Sequence, residues 1–517
     1  GHQGFKILFK DNPFDGFLFG NSSFAAMYLL SAFLLSAYFV FRKKISEIKW
    51  YEYLLPFLIA FNPYFINIKI FTGGATGISD VFGIAKASSA SLILSVVLLC
   101  TAWIISKIKS IKVRNITAIT FATVSLVLLA LVMNSLLSDS GFVRKEYEKQ
   151  STLARPVVWD ISKNAINERP LFGWGIDNFP EAFQKHFDTK LIEERYGNEP
   201  WFDRAHNVVL DQTVATGDLG VSIYFLLYGV LLVCLMYSIL KSKNREDGLL
   251  GIILSIYFFL HLLELQTAFD TTISAVAFVI MVAFSVVLYD KVRSENGVHN
   301  KITLNKFSKY SIGTILIGYF GWALFFGTIP FWHVQNVNAE IRRVGSAQMR
   351  IPMYQELFKV KIDKLGMLWR ISTDFQRGIS ENPIVLEDAE KSKALLSELD
   401  VFTKEYEKYV ELHPESFRAH LNLADMYIYH MLFGVNMLKE ADVVLDKAIK
   451  ISPDHPQSYW MKAVISLYRK DFENAEMYVE MAKKINPEVV ETKRLESYIK
   501  ESIKTFPEID LYFFNQI

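Results

Sequence analysis

Eight runs of about 20 apolar residues constrain this chain more than anything else in it, because a run of that length matches the thickness of a bilayer core. They lie near 24–41, 51–71, 88–106, 115–138, 219–240, 249–268, 271–289 and 311–333. Lipid offers the backbone no hydrogen-bond partner, so each run is expected to be helical. With 41 Phe, 24 Tyr and only 21% charged residues, the composition is unlike that of a soluble enzyme. A net charge of +1 lacks the basic excess of a nucleic-acid binder, so no nucleic-acid partner is expected. Cys100 and Cys234 both fall in apolar runs, which argues against a disulfide framework or a zinc site and for two buried thiols. The first residue is Gly, so the chain is read as a processed or partial form of a longer protein, with upstream helices absent.

The connections sort by charge. Arg42, Lys43 and Lys44 follow the first run, and Lys107, Lys109, Lys112 and Arg114 separate the third and fourth. Lys241, Lys243 and Arg245 follow the fifth; Lys291, Arg293, Lys301, Lys306 and Lys309 follow the seventh. By the positive-inside rule these loops are cytoplasmic. Segments 1–23, 72–87, 139–218 and 268–271, together with the tail after Trp332, are then extracytoplasmic.

The expected fold is all-α, a polytopic membrane domain over 1–333 followed by an extracytoplasmic helical domain over 334–517. That tail repeats itself. Ala441 and Ala475, Ala448 and Ala482, and Pro453 and Pro487 are each 34 residues apart. Pro414 to Pro453 and Ala424 to Ala463 are each 39 apart, which fits an insertion in YHMLFGVN. Small residues at such points let paired helices pack closely, and the Pro ends each second helix. The pattern, around 415–490, resembles the tetratricopeptide repeat of an α-solenoid. Residues 398–413 read as a second helix of a degenerate earlier repeat, and 489–504 as a capping helix. Such repeats bind a protein partner or form a rigid lid.

The chemistry lies in 139–218. Arg155-Pro156 suits a helix start. Val157, Val158, Ile161 and Ala165 then form one apolar stripe, expected at the membrane interface with Trp159 as an anchor. Arg169-Pro170 ends this helix, and the glycines of Phe172-Gly173-Trp174-Gly175 permit a sharp turn before Asp177 or Asn178 caps the next. The chain returns to the bilayer through His206-Asn207 and an apolar run, with a break at Gly217-Asp218-Leu219-Gly220.

Arg155, Trp159, Pro170-Leu171-Phe172-Gly173-Trp174-Gly175, His206-Asn207 and the final Gly-x-x-Gly stand in the order and spacing of a known family, as does the upstream Gly20-Asn21. Over about 14–290 the chain resembles the O-antigen ligase and polymerase group of bacterial membrane glycosyltransferases, some of which also carry tetratricopeptide repeats after their last membrane helix. The resemblance implies a multi-pass protein of the bacterial cytoplasmic membrane, in contact with membrane lipids. It implies glycan transfer from undecaprenyl diphosphate to an acceptor hydroxyl on the extracytoplasmic face, without nucleotide sugar. The acceptor is a glycan, a lipid such as lipid A core, or a protein. Arg155 is the catalytic candidate for stabilising the departing diphosphate, because a guanidinium pairs with phosphate oxygens bidentately. His206, with an ordinary pKa of roughly 6.5, is the candidate base. Asn207 would orient it or hold a sugar hydroxyl.

The chain departs from the family where a second Arg commonly follows the second extracytoplasmic loop. GISDVFGIAKASSASL offers only Lys86. Lys86, Arg204 or Arg169 would then supply the second phosphate contact, with loss of bidentate geometry in the case of Lys. Trp159 and Trp174 are read first as structural, Trp174 also as a sugar-stacking face. His261 and Glu264 share a helical face, and Glu264 either lines a vestibule or snorkels to the surface. Asp203 and Arg204 form a local ion pair. No nucleotide loop, zinc motif or nucleophile elbow is present, so neither cofactor nor metal is expected. The alternatives are a polymerase with a second lipid-linked unit as acceptor, a protein O-oligosaccharyltransferase, and a non-catalytic membrane scaffold displaying repeats.

Overall fold

A computed structural model describes residues 22–43, 47–60, 86–150, 153–298, 329–360 and 364–505, and single positions between 311 and 325. It is helical, with α1 Ser22–Phe41, α2 Leu54–Ala60, α3 Lys86–Ser106, α4 Ile111–Leu137, α5 Phe142–Gln150, α6 Ala154–Glu168 and α7 Phe179–Lys185. There follow α8 Val208–Lys241, α9 Arg245–Glu264, α10 Thr272–Glu295, α11 Ile329–Ile341, α12 Ala347–Leu357 and α13 Lys364–Glu381. The series ends with α14 Ala389–Leu412, α15 Phe417–Tyr429, α16 Leu438–Ile451, α17 Pro456–Tyr468, α18 Phe472–Ile485 and α19 Val490–Thr505.

Two compact units emerge. The first takes 1–151, 158–179 and 203–301; the second takes 152–157, 180–202 and 302–517. This differs from a single boundary at 333/334, because the 139–218 region is shared between the two.

Among the described residues of the first unit, five helices are long and apolar enough to cross a membrane: within α3, α4, α8, α9 and α10. The shorter apolar stretch Met27–Phe41 lies in α1. About half of each of the expected spans 51–71 and 311–333, and all of Gly20-Asn21, lies outside the described residues. Protein buries 56% of the most apolar stretch of α9 but only 6% of that of α4. Hence, among the described residues, α9 is the packed centre of the bundle and α4 is left mostly uncovered. Leu34, Leu235, Leu254, Leu260 and Val292 are fully buried around that centre. Cys100 is exposed on α3 and Cys234 half-buried on α8, so the thiols are not both core residues as expected. A transmembrane helix has a lipid face, and hydropathy does not tell it from the packed one.

A buried cation organises the polar end of this unit. Arg144 on α5, 5% exposed, pairs bidentately with Asp160 of α6 at 2.7 and 2.9 Å and also reaches Asp139 and Glu148. Burial alone would raise the Asp160 carboxyl, but Arg144 and Lys163 outweigh it and hold the group below the usual carboxylate range.

In the second unit, helices after α14 pack in hairpins, α15 with α16 and α17 with α18, and α19 closes the series. Ala424, Ala441, Ala448, Ala463, Ala475 and Ala482, the residues of the repeat register, are all fully buried where these helices meet. The insertion forms a 3-10 turn, His430–Phe433, ended by Gly434 at φ +72°. Trp460 donates to Thr492 Oγ1 (2.9 Å), tying α19 to the pair before it.

His455 caps α17 and lies between rings, 4.1 Å from Phe187 and 4.7 Å from Phe417, with 1% exposure. Burial pushes its imidazole down to about 3. Its folded pKa thus lies below the unfolded value of roughly 6.5. Its stabilising contribution is complete above that value and is lost as pH falls towards 3, by up to about 1.4 kcal/mol per pH unit. The melting temperature of the helical tail is expected to fall steeply between about pH 6 and pH 4. His455→Phe should flatten that fall in circular-dichroism melts; an unchanged slope would refute the assignment.

Candidate active site

Two glycine motifs that lie far apart in the sequence meet as backbone, the turn at Gly173 against the helix break at Gly217. Helix α8 breaks at Gly217 (φ +67°, ψ −174°). A break leaves carbonyls before it and amides after it without helical partners. The turn 170–175 supplies them. Trp174 N donates to Val214 O (2.7 Å) and Gly175 N to Ala215 O (2.9 Å), while Asp218 N donates to Pro170 O (2.7 Å) and Leu219 N to Leu171 O (3.4 Å). The approach is close because neither glycine has a side chain. A Cβ on Gly217 would lie 2.2 Å from Leu171 O, and one on Gly173 would lie 2.5 Å from Val214 O.

His206 sits just before α8, at φ +55°, a conformation uncommon for a residue with a side chain. Three elements hold this turn. From α6, Trp159 Nε1 donates to Ala205 O (3.0 Å). From α8, Asp211 accepts from Ala205 N (2.5 Å). From the α9–α10 hairpin, Leu265 O accepts from Val208 N (2.8 Å), and the Phe269 ring meets the His206 ring edge-on at 5.0 Å. The Arg204 guanidinium lies 4.2 Å over the same Phe269 ring and donates to Asp203 (3.1 Å), the expected ion pair.

The ring of His206 places Nδ1 3.2 Å from Arg204 O. A carbonyl only accepts, so Nδ1 carries the proton in that bond and the neutral ring has its lone pair on Nε2. This is the tautomer that a base acting through Nε2 requires.

The other residues singled out from the sequence occupy separate places. Asn207 is fully buried: its Oδ1 caps α8 by accepting from Val209 N and Leu210 N, and its Nδ2 donates to Gln266 O at 3.0 Å. It holds the backbone beside His206, and a sugar hydroxyl has no access to it. Arg169 stacks 4.0 Å over Trp174, whose Nε1 donates to Ala165 O (2.9 Å), so the indole braces the turn. Glu264 is 3% exposed and faces Ser88 and Ser91 of α3 rather than snorkelling. His261 has other partners, Tyr228 (3.0 Å) and Asp270 (3.1 Å). Lys86 opens α3; its side chain lies outside the described residues. Arg155 is half-buried in the first turn of α6, one turn before Trp159. Trp159 itself has no exposure, so the apolar stripe of α6 is covered by protein and Trp159 is not an interfacial anchor.

Sequence reading missed Arg144, Asp211, Gln266 and Phe269. None of the four stands in a local pattern that marks it, whereas the capping role of Asn207 had one, an Asn directly before an apolar helical run. Among the described residues no group of three or more His, Cys, Asp or Glu side chains is arranged to hold a metal.

Residues 75–225 match the family model described as Wzy_C, O-antigen ligase. The matched span contains Arg155, both glycine motifs and His206. No curated protein matches the chain.

Proposed function

We propose that this chain, which carries an O-antigen ligase domain, moves a glycan from undecaprenyl diphosphate to an acceptor hydroxyl on the extracytoplasmic face of the bacterial cytoplasmic membrane. The family accounts for lipid-linked glycan transfer in general, and the apolar helices make this a multi-pass membrane protein. The observation that carries the finer reading is the His206 turn, held from three elements, with Nδ1 of the ring 3.2 Å from Arg204 O.

His206 Nε2 takes the acceptor proton as the acceptor oxygen bonds to the anomeric carbon. The bond from that carbon to the diphosphate oxygen breaks, and its electron pair stays on the phosphate. Arg155 stabilises the charge that grows there. Arg204, Arg169 and Lys86 are the further cations for the second phosphate, and Asn207 acts by positioning the His206 backbone.

Purified protein given an undecaprenyl diphosphate oligosaccharide and candidate acceptors is expected to yield a glycosylated product identifiable by mass. A product on lipid A core or another glycan marks a ligase, on a second lipid-linked unit a polymerase, and on Ser or Thr a protein transferase. Absence of transfer to every acceptor would overturn the proposal in favour of a scaffold.

A further inference from the structure

The α9–α10 hairpin that meets the His206 turn is itself fastened to the first unit by a buried polar chain drawn from three helices. Tyr228 Oη of α8 lies 3.0 Å from His261 Nδ1, and His261 Nε2 lies 3.1 Å from Asp270 Oδ1. Ser274 of α10 donates to the same carboxylate oxygen (2.8 Å), and its hydroxyl accepts from Thr271 N (2.8 Å). Tyr228 and His261 are each 5% exposed, and the imidazole packs against the rings of Phe278 (5.1 Å) and Tyr257 (5.7 Å). Burial works against an ionised Asp270, yet His261 and Ser274 win and keep its carboxyl below the usual carboxylate range. An ionised carboxylate only accepts, so His261 Nε2 donates to it; in the neutral ring Nδ1 then accepts from the Tyr228 hydroxyl. Between these fixed points, Leu265 O accepts from Val208 N, Gln266 O accepts from Asn207 Nδ2, and the Phe269 ring meets His206. Asp270 directly follows Phe269.

We infer that the Tyr228–His261–Asp270 chain is a positioning device of the transferase: it fixes the hairpin so that Leu265, Gln266 and Phe269 keep the His206 turn in one conformation. All of these residues belong to the first unit. The catalytic part of this inference rests on the proposed function; the structural part does not. A backbone at φ +55° persists only where its surroundings over-determine it, so the hairpin against His206 must not yield. A buried polar chain meets that need. It costs desolvation energy unless every partner is in place, and so it selects one hairpin geometry where apolar side chains would accept several. Asp270, His261 and Tyr228 are then positioning residues acting through the hairpin.

The test compares the full-length protein in nanodiscs as wild type, Asp270→Ala, Tyr228→Phe and Asp270→Asn, the last of which keeps an oxygen for His261 and Ser274. Hydrogen exchange and steady-state kinetics are the readouts. Asp270→Ala is expected to raise exchange at 203–208 by about 10-fold or more, with α4 unchanged. It should lower kcat by about 10- to 100-fold with donor KM within about 3-fold. Tyr228→Phe should act in the same direction by about 3- to 10-fold, and Asp270→Asn should restore both exchange and kcat. Unchanged exchange at 203–208 in Asp270→Ala would overturn the inference, and a fall in kcat without loosening would make Asp270 a group that touches substrate instead. A loosened turn with kcat intact would overturn the catalytic part. If wild type transfers no glycan, the functional reading fails while exchange in the same variants still decides the structural part.

Discussion

Gly217→Ala is expected to destabilise the membrane unit by about 3 kcal/mol or more, a large effect for a single methyl group. The new Cβ would lie 2.2 Å from Leu171 O and 2.3 Å from Leu171 C, both backbone atoms that no rotamer change can move. Alanine is also strained at φ +67°. Relief requires the turn and the broken helix to separate, and separation would strip partners from the carbonyls of Val214 and Ala215 and the amides of Asp218 and Leu219. Gly229 of the same helix is the control, since a Cβ there meets nothing within 4 Å. Thermal unfolding in detergent should show Gly217→Ala far below wild type and Gly229→Ala close to it. Equal midpoints for the two variants would show that the seam does not hold the unit together.

His206→Ala is expected to lower kcat by about 10²- to 10⁴-fold while donor affinity changes little, because a base acts on the acceptor proton rather than on the carrier. Arg155→Lys keeps the charge but loses the planar fork, and should lower kcat by about 10²-fold. Single-turnover transfer and binding of undecaprenyl diphosphate in nanodiscs separate the two effects. Full activity in His206→Ala would remove the general base from the mechanism. Loss of donor binding without loss of kcat would move His206 from chemistry to recognition.

Much of the secondary structure is legible from the residues. Arg155-Pro156 opens a helix that ends before Arg169, the run after His206 breaks at Gly217, and the alanine register marks where helix pairs touch. Each of these is a local pattern, set by spacing or by what one residue does to its own backbone. The roles of single side chains are less legible. The stripe on α6 shows that one face is apolar, but not whether lipid or protein covers it, and so the sequence suggests an anchor where the fold buries Trp159. Asn207 reads as a sugar or histidine partner, although its position before α8 is that of a cap.

Periodicity and charge, which act along one dimension, predict a helical chain with membrane-length apolar runs and a repeating register in its tail, and the family resemblance singles out Arg155 and His206. Contacts between distant segments came only from the folded chain: the glycine turn filling the break in α8, Phe269 and Trp159 holding the His206 turn, and Tyr228 meeting His261. The reason is physical. A backbone hydrogen bond or a ring contact depends on where two pieces of chain meet in space, and their residue types alone are compatible with many such meetings.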